Sequence, residues 1–316
     1  MKTHRFTHIA VLMGGVSSER EISILSGTAA AKALAEAGYT VTSVILDREE
    51  LPDLPGIEAA FIALHGRFGE DGNIQKLLEE RNIPYTGSDP ASSALSFDKI
   101  ATQTLLAHSN IPIPPHTILH SPFSSLHSPF SLPVVVKAPR EGSSVGVVIA
   151  QTQAEFEQAI TECHKYSPDT LLVEKFIPGR EWTVSILDGE ALPVIQIEPK
   201  LDGGWYSWQA KYFSNGTTVY SFPADDRLAE DGVALPSPDV ELCQRCQDIA
   251  AKVFRLLGGR GMARVDFRIS PEGDPFVLEL NSIPGLTASS LLPKAAEKVG
   301  ISFPELCSRI IESARV

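Results

Sequence analysis

An apolar run of strand length, His8-Ile-Ala-Val-Leu-Met13, breaks off at Gly14-Gly15 and gives way to a helical repeat. Apolar residues recur at Ile22, Leu25, Ala29, Ala33 and Ala37, the spacing of one helix face. Ser18-x-x-Glu21 ahead of the repeat has the pattern of a capping box, and Gly38 supplies the stop. A second strand is expected over 40–46 and a third over 58–64, with His65-Gly66 and a glycine-rich turn behind it. Strand, helix and strand in this order predict an open α/β sheet for the first lobe. Ligands of such sheets sit at the carboxyl ends of the strands, where Gly15-Val-Ser-Ser-Glu19 and His65-Gly66 fall.

Past Tyr85-Thr-Gly-Ser88 the pattern changes. A helix is expected over 98–109, then the proline-rich Ile111-Pro-Ile-Pro-Pro115. The tandem His120-Ser-Pro-Phe-Ser124 and His127-Ser-Pro-Phe-Ser131 reads as an expanded surface loop with solvated histidines. Strands over 134–137, 145–150 and 171–176 and a helix from Glu155 make a small central lobe. In the remainder, strands over 182–187 and 192–197 flank the hairpin signal Asp188-Gly189. A helix over 240–257, a hairpin of 263–269 with 275–280, and two helical pieces complete the chain. The expected class is α/β plus α+β, with divisions at 1–96, 97–180 and 181–316; 316 residues suit such lobes.

A formal net charge of -12 argues against wholesale nucleic-acid binding, which needs basic patches to neutralise phosphates. No apolar run approaches the roughly 20 residues of a membrane span. The start, Met1-Lys2-Thr3-His4-Arg5-Phe6, carries no cleavage pattern, so a cytoplasmic protein is expected. Cys243 and Cys246 form the one C-x-x-C, inside a helical stretch and without the second pair of a zinc ribbon, and read as packing thiols.

Neither G-x-x-x-x-G-K-[S/T] nor a G-x-G-x-x-G after a strand occurs, so a nucleotide would need another architecture. The strongest local signal is Arg264-Val-Asp266-Phe with Glu279-Leu-Asn281. Residues two apart on a strand share a face, so two carboxylates, an amide and a guanidinium gather at one spot. That set suits Mg²⁺; it also suits a plain salt-bridged hairpin face. Lys137 ends a short apolar strand before Arg140-Glu-Gly142-Ser143-Ser144-Val-Gly146, a loop able to wrap a phosphate or simply to turn. In Leu172-Val-Glu174-Lys175-Phe-Ile-Pro-Gly179-Arg-Glu181, backbone between lobes could meet an adenine edge and an acidic side chain the ribose.

In order along the chain, Lys99, Lys137 with its loop, E-K-F-I-P-G-R-E, R-V-D-F, E-L-N and S-I-P-G-L-T resemble the ATP-grasp fold. Gly14-Gly-Val-Ser-Ser-Glu19-Arg-Glu and Leu64-His65-Gly66…Gly69-Glu-Asp-Gly72 narrow the resemblance to D-alanine–D-alanine ligases, over residues 9–311. The resemblance implies a three-lobed fold with an N-terminal open Rossmann-like sheet, and ATP with two Mg²⁺ ions, Mn²⁺ being a possible substitute. By this likeness Lys99, Lys137, Ser144 and Lys211 would contact ATP. Glu174, Lys175, Phe176 and Ile177 would lie at the adenine and Glu181 at the ribose. Asp266, Glu279 and Asn281 would hold the metals, and Arg264 and Gly285 the oxyanion. Glu19 and His65 would take the first D-alanine, Ser290 and Leu291 the second. Ser143 and Tyr212 would join Glu19 in a hydrogen-bonded set.

The implied reaction phosphorylates one D-alanine carboxylate, and the amine of a second D-alanine attacks the acyl phosphate, for peptidoglycan precursor synthesis. The implied partners are D-alanine and ATP, with a homodimer through the first lobe and neither nucleic acid nor membrane. Tyr212 resembles the dipeptide-forming members, whereas depsipeptide-forming relatives tend to have histidine there. Ser207 and Gln209 stand where acidic residues are common, and Ser289 where histidine is frequent. Two other readings fit the same residues: a ligase taking D-serine or D-lactate second, and a nucleotide-binding protein without turnover.

Overall fold

The computed structural model describes residues 4–123, 127–200, 218–228, 234–287 and 289–316. β1 (His8–Gly14), α1 (Arg20–Glu36), β2 (Thr40–Leu46) and β3 (Ala59–Ile62) open the chain. The strands form a parallel sheet in the order β2-β1-β3, as the strand–helix–strand order predicts. β1 lies between two neighbours, so Ile9, Ala10, Val11 and Leu12 are fully buried, whereas edge strand β2 leaves Ile45 exposed.

The expected Ser18–Glu21 capping box does not form. Glu19 stands at the N-cap position of α1 without a side-chain cap hydrogen bond. Instead the Glu19 N–H donates to Ser17 Oγ (3.2 Å), whose hydroxyl donates to the His65 carbonyl (2.7 Å). The first turn is thereby tied to the loop after β3, and the Glu19 carboxylate is released toward the site. Gly38 at φ +103° ends the helix as expected.

α2 (Asn73–Glu80), α3 (Pro90–Phe97) and α4 (Lys99–His108) follow. Asp89 caps α3 through Ser92 N with proline at the first turn, a start signal absent from the expectations above. Asp98 caps α4 through the N–H groups of Ile100 and Ala101. Next come β4 (His116–His120), β5 (Val134–Lys137), β6 (Val147–Ala150), α5 (Gln153–His164) and β7 (Thr170–Lys175). Their antiparallel sheet runs β4-β7-β5-β6 around Val134, Val136, Phe156, Ile160 and Val173. Strand β4 was not expected: its pairing with β7 overrides a proline-rich flank and a weak strand composition. His120 and His127 are exposed, as expected for the tandem loop, while Phe123 and Phe130 pack onto this core.

β8 (Arg180–Leu187), β9 (Glu190–Ala191), β10 (Ile195–Pro199), β11 (Thr218–Ser221), β12 (Arg227–Leu228), β13 (Ala234–Leu235), α6 (Val240–Leu256), β14 (Met262–Ile269) and β15 (Pro275–Asn281) come next. The main sheet here runs β11-β10-β8-β14-β15, with β9 beside β8. α6 covers one face through Cys243, Cys246, Ala250 and Val253, against Trp182, Val184 and Phe267. Burial pushes the Cys243 thiol up to about 11 and Cys246 to about 12, which fits packing thiols rather than reactive ones.

The chain then returns to its beginning. α7 (Leu291–Lys298) and α8 (Phe303–Glu312) contribute Leu292, Leu306, Ile310 and Ile311 to the core that holds Ile9, Leu12 and Phe61. Tyr39 donates to Glu312 Oε1 (2.6 Å), and Arg315 bridges Tyr85, which itself bridges β3 at Ala60. No sequence periodicity announces this closure across the length of the chain.

Gly72, at the N-cap of α2, has φ +90°, and a Cβ there would collide with the Pro90 carbonyl oxygen. Gly72→Ala is expected to lower unfolding free energy by about 3 kcal/mol, from left-handed strain plus backbone overlap. A urea midpoint equal to wild type would refute this.

Candidate active site

Alternation along β14 puts Arg264, Asp266 and Arg268 on one face and Val265 and Phe267 in the core. Asp266 lies opposite Glu279, Arg264 opposite Asn281, but Phe267 opposite Val277. Leu278 is thus the extra residue of a bulge, which lets Val277 face the core while Glu279 and Asn281 face the other way. The expected gathering of two carboxylates, an amide and a guanidinium is present.

Asp266 is held on every side: Arg264 donates to both its oxygens (2.8 Å each), Thr183 Oγ1 to Oδ1 (2.6 Å) and Asn281 Nδ2 to Oδ2 (3.0 Å). Glu279 pairs with Lys99 Nζ (3.1 Å), which also donates to the Glu141 carbonyl (2.7 Å). The nearly buried Lys137 pairs with Glu174 (2.7 Å), a carboxylate also held by Gln103 Nε2. Each carboxylate out of water is matched by a cation or donor, without which its burial would cost several kcal/mol. Two carboxylates and an amide oxygen are the donor set of a hard divalent cation, and the lysines can turn to phosphates instead. Among the described residues no group of three or more histidine, cysteine or acidic side chains is arranged to hold a metal ion by itself.

The loop after β5 reaches over the first lobe. Ser143 (φ +50°), Ser144 (φ +64°) and Gly146 (φ +64°) are left-handed, curling the backbone so that Ser143 Oγ donates to Glu19 Oε1. Glycines flank that carboxylate: a Cβ at Gly142 would come within 2.4 Å of Glu19 Oε2 and one at Gly66, where φ is +68°, within 2.8 Å, so either would displace the Glu19 side chain.

His65 is buried beside Glu19. Its Nδ1 donates to the Ile283 carbonyl (3.1 Å) and faces Glu70 (3.6 Å), while Nε2 bonds Ser26 Oγ (3.1 Å). Burial alone lowers the His65 pKa, but Glu70, Glu19 and the Ile283 carbonyl outweigh it and the net shift is upward. Glu70 is raised as well, by burial first and by Glu19 next, against the opposing pull of His65. This end of the cleft therefore holds protons to higher pH than water would.

Ile283, Pro284, Gly285, Thr287, Ser289 and Ser290 form the opposite wall. Leu286 N donates to Ser26 Oγ (3.3 Å) and Thr287 N to Ser290 Oγ (3.0 Å), and α7 begins directly after, its N-terminus at the cleft. Glu19, His65, Ser143, Arg264, Asn281, Gly285, Ser290 and Leu291 line one cleft, open to solvent. Lys99, Lys137 and Glu174 form a second group, joined to the first through Glu279. Lys175 at the end of β7, Phe176 and Ile177 just beyond it and Glu181 early in β8 form a third, in which the Lys175 side chain is exposed. Lys211 and Tyr212, like Ser207 and Gln209, lie outside the described residues.

Three residues with no assigned part above stand at the site. Glu70 lies within the quoted Gly69-Glu-Asp-Gly72 turn, and a carboxylate bounded by glycines after a buried strand was the available signal. Tyr220 on β11 lines the cleft, with Lys294 5.6 Å from its ring centre. Arg268 continues the R-x-D-x-R alternation that made Arg264 and Asp266 legible.

Residues 105–312 match the family described as D-ala D-ala ligase C-terminus, and residues 48–88 that described as D-ala D-ala ligase N-terminus. The D-alanine–D-alanine ligase of Syntrophotalea carbinolica is 44% identical over 308 residues, spanning 97% of this chain and 95% of that protein. That of Aquifex aeolicus is 42% identical over 306 residues, spanning 96% and 99%. Among solved structures, the Bacillus anthracis D-alanine–D-alanine ligase complexed with ATP superposes with a TM-score of 0.80 at 31% identity, covering 97% of each chain. The Coxiella burnetii enzyme gives 0.79 at 26% identity, covering 98% and 93%. The expected ATP-grasp fold is thereby borne out.

Glu70→Gln removes the anion facing His65 but leaves the burial that opposes its charge. The His65 titration midpoint, followed by imidazole NMR shifts, is expected to fall relative to wild type; an unchanged midpoint would break the assigned coupling.

Proposed function

The chain belongs to the D-alanine–D-alanine ligase family, and on that premise we propose that it joins two D-alanines into D-alanyl-D-alanine with ATP, for peptidoglycan precursors. The observation that carries this reading is the continuity of the site. The Glu19–Ser143 pair, Arg264, Asn281, Gly285 and Ser290 line one cleft, and Asp266 behind Arg264 and Glu279 paired with Lys99 lead from it toward Lys137 and Glu174.

Lys99 and Lys137 exchange their carboxylate partners for nucleotide phosphates, and the strip over 174–181 takes the adenosine. Asp266, Glu279 and Asn281 are the residues that fit Mg²⁺, which when bound neutralises charge on the phosphates. Glu19 attracts the ammonium of the first D-alanine, and a protonated His65 balances its carboxylate. That carboxylate attacks the γ-phosphorus, the bond to the bridging oxygen breaks, and ADP leaves an acyl phosphate. Ser290 and the N-terminus of α7 receive the carboxylate of the second D-alanine, since terminal N–H groups and the helix dipole favour an anion there. Its neutral amine attacks the acyl carbon. Arg264 and the Gly285 N–H offset the charge on the former carbonyl oxygen, and collapse expels phosphate, which carries off the proton the amine nitrogen loses as the peptide bond is completed.

Tyr212 completes the hydrogen-bonded set of Glu19 and Ser143 and favours an amine over a hydroxyl as the second nucleophile, while Lys211 and Ser144 add phosphate contacts. The three-lobe division at 96/97 and 180/181, a homodimer through the first lobe and a cytoplasmic location complete the proposal. Among the described residues no helix is long and apolar enough to cross a membrane.

Phosphate release from ATP and Mg²⁺ is expected with D-alanine alone, with the dipeptide as product. Release only with added D-serine or D-lactate would move the second-substrate assignment, and ATP binding without release would abolish the ligase reading. Glu279→Gln should cut turnover by more than about 100-fold with the melting temperature unchanged; retained activity would remove Glu279 from the metal set.

A further inference from the structure

We propose that Arg268 is a positioning residue for the nucleotide, fixing with one guanidinium the strip over 176–181 on which adenosine would lie. The proposal rests on the ATP reading above. Arg268 follows Asp266 on the same face of β14, and its Cα lies opposite Glu181 on β8. Nε donates to the Ile177 carbonyl (3.2 Å) and Nη2 to the Gly179 carbonyl (3.0 Å). Nη1 faces Glu181 Oε2 (3.4 Å), both side chains being only 12% exposed, and the guanidinium carbon lies 5.6 Å from the Phe176 ring centre.

Three of these partners, Phe176, Ile177 and Gly179, lie where β7 has ended at Lys175 and β8 has not yet begun at Arg180, and Glu181 is the second residue of β8. A strip between strands has no continuous ladder to set its peptide planes, so side-chain donors must do so. From the other side, the Ile269 carbonyl fills the place of a Cβ at Gly179, where φ is +116°. Arg268 and its neighbour thus hold the strip from one strand, the same strand that carries Asp266 toward the phosphates. A nucleotide bridging the two regions meets a base platform and a phosphate end set in register by β14.

Only arginine serves all the partners at once. Its planar fork presents five donors, enough for two carbonyls and a carboxylate, while its face lies toward an aromatic ring. Lysine supplies a single ammonium and cannot reach all of them together. Methionine keeps the apolar stem over Phe176 and gives up both carbonyl bonds and the Glu181 contact. Glu181 is the acceptor for the ribose hydroxyls, and the adjacent guanidinium holds its carboxylate in place.

The test compares wild type, Arg268→Lys and Arg268→Met by calorimetric titration with ATP and Mg²⁺ and by steady-state kinetics. With methionine, Kd and KM for ATP are expected to rise about 10- to 100-fold, the worth of charge-assisted hydrogen bonds lost from a buried site. Lysine should recover part of that loss. D-Alanine KM and kcat at saturating ATP should stay within about threefold of wild type, since uniform binding is what the variant removes. Preference for ATP over 2′-deoxy-ATP should shrink in Arg268→Met and in Glu181→Gln, and no further in the double variant. Unchanged ATP affinity in both Arg268 variants, or equal increases in both substrates' KM with a lowered melting temperature, would overturn the positioning role while leaving the ATP reading intact. Failure of wild type to bind ATP would remove both.

Discussion

A carboxylate withdrawn from water has to be matched, and five such groups organise this molecule. Asp266 is matched by Arg264, Thr183 and Asn281, Glu279 by Lys99, and Glu174 by Lys137 and Gln103. Glu19 is matched by Ser143, and Glu181 by Arg268. Several of these pairs join distant parts of the chain: α4 to β15, and the first turn of α1 to the loop after β5. The pairs therefore both position the lobes and fill the cleft with fixed charge. Pairing by lysine suits a site that must later accept phosphates, because the ammonium on its flexible stem can leave one anion for another. Arg264 and Arg268, with planar forks committed to several acceptors, are the fixed members.

Much of the fold was legible because strand and helix periods leave direct marks. The alternation Arg264-Val-Asp266-Phe set against Glu279-Leu-Asn281 located the polar face of the β14–β15 hairpin before any coordinates. The bulge at Leu278 left no such mark, since nothing in Val277-Leu-Glu279 says which residue goes unpaired. The capping box at Ser18 and Glu21 failed for a physical reason: Ser17, bonded to the His65 carbonyl, took the Glu19 N–H. Strand β4 was hidden because its existence depends on β7, some fifty residues further along. Glu70 was in view as a letter of a quoted motif, and Arg268 stands one residue past another. Their roles depend on distances to His65 and to the strip after β7, which spacing alone does not carry.

Backbone shape bears as much of the site as side-chain chemistry does. Ser143 and Ser144 occupy the left-handed region, which ordinary residues enter at a cost of about 1–3 kcal/mol each. Their surroundings sustain it: Ser143 reaches Glu19, Val145 N bonds the Gly142 carbonyl (2.9 Å), and Ala138 N bonds the Gly146 carbonyl (2.7 Å). Gly142 and Gly66 both approach one carboxylate, and a Cβ at either would displace the Glu19 side chain. A single atom group thus couples two places far apart in sequence.

The return of α7 and α8 to the first lobe bears on how the protein is made. Ile9, Leu12 and Phe61 are synthesised early, yet the core they share also needs Leu292, Leu306, Ile310 and Ile311. At a ribosomal rate of about 5–20 residues per second, the opening sheet waits on the order of ten seconds or more with part of its apolar surface unshielded. The central lobe, whose core draws on residues 119–173, can close meanwhile. Ordering on the ribosome therefore starts in the middle of the chain, and the two ends come together last.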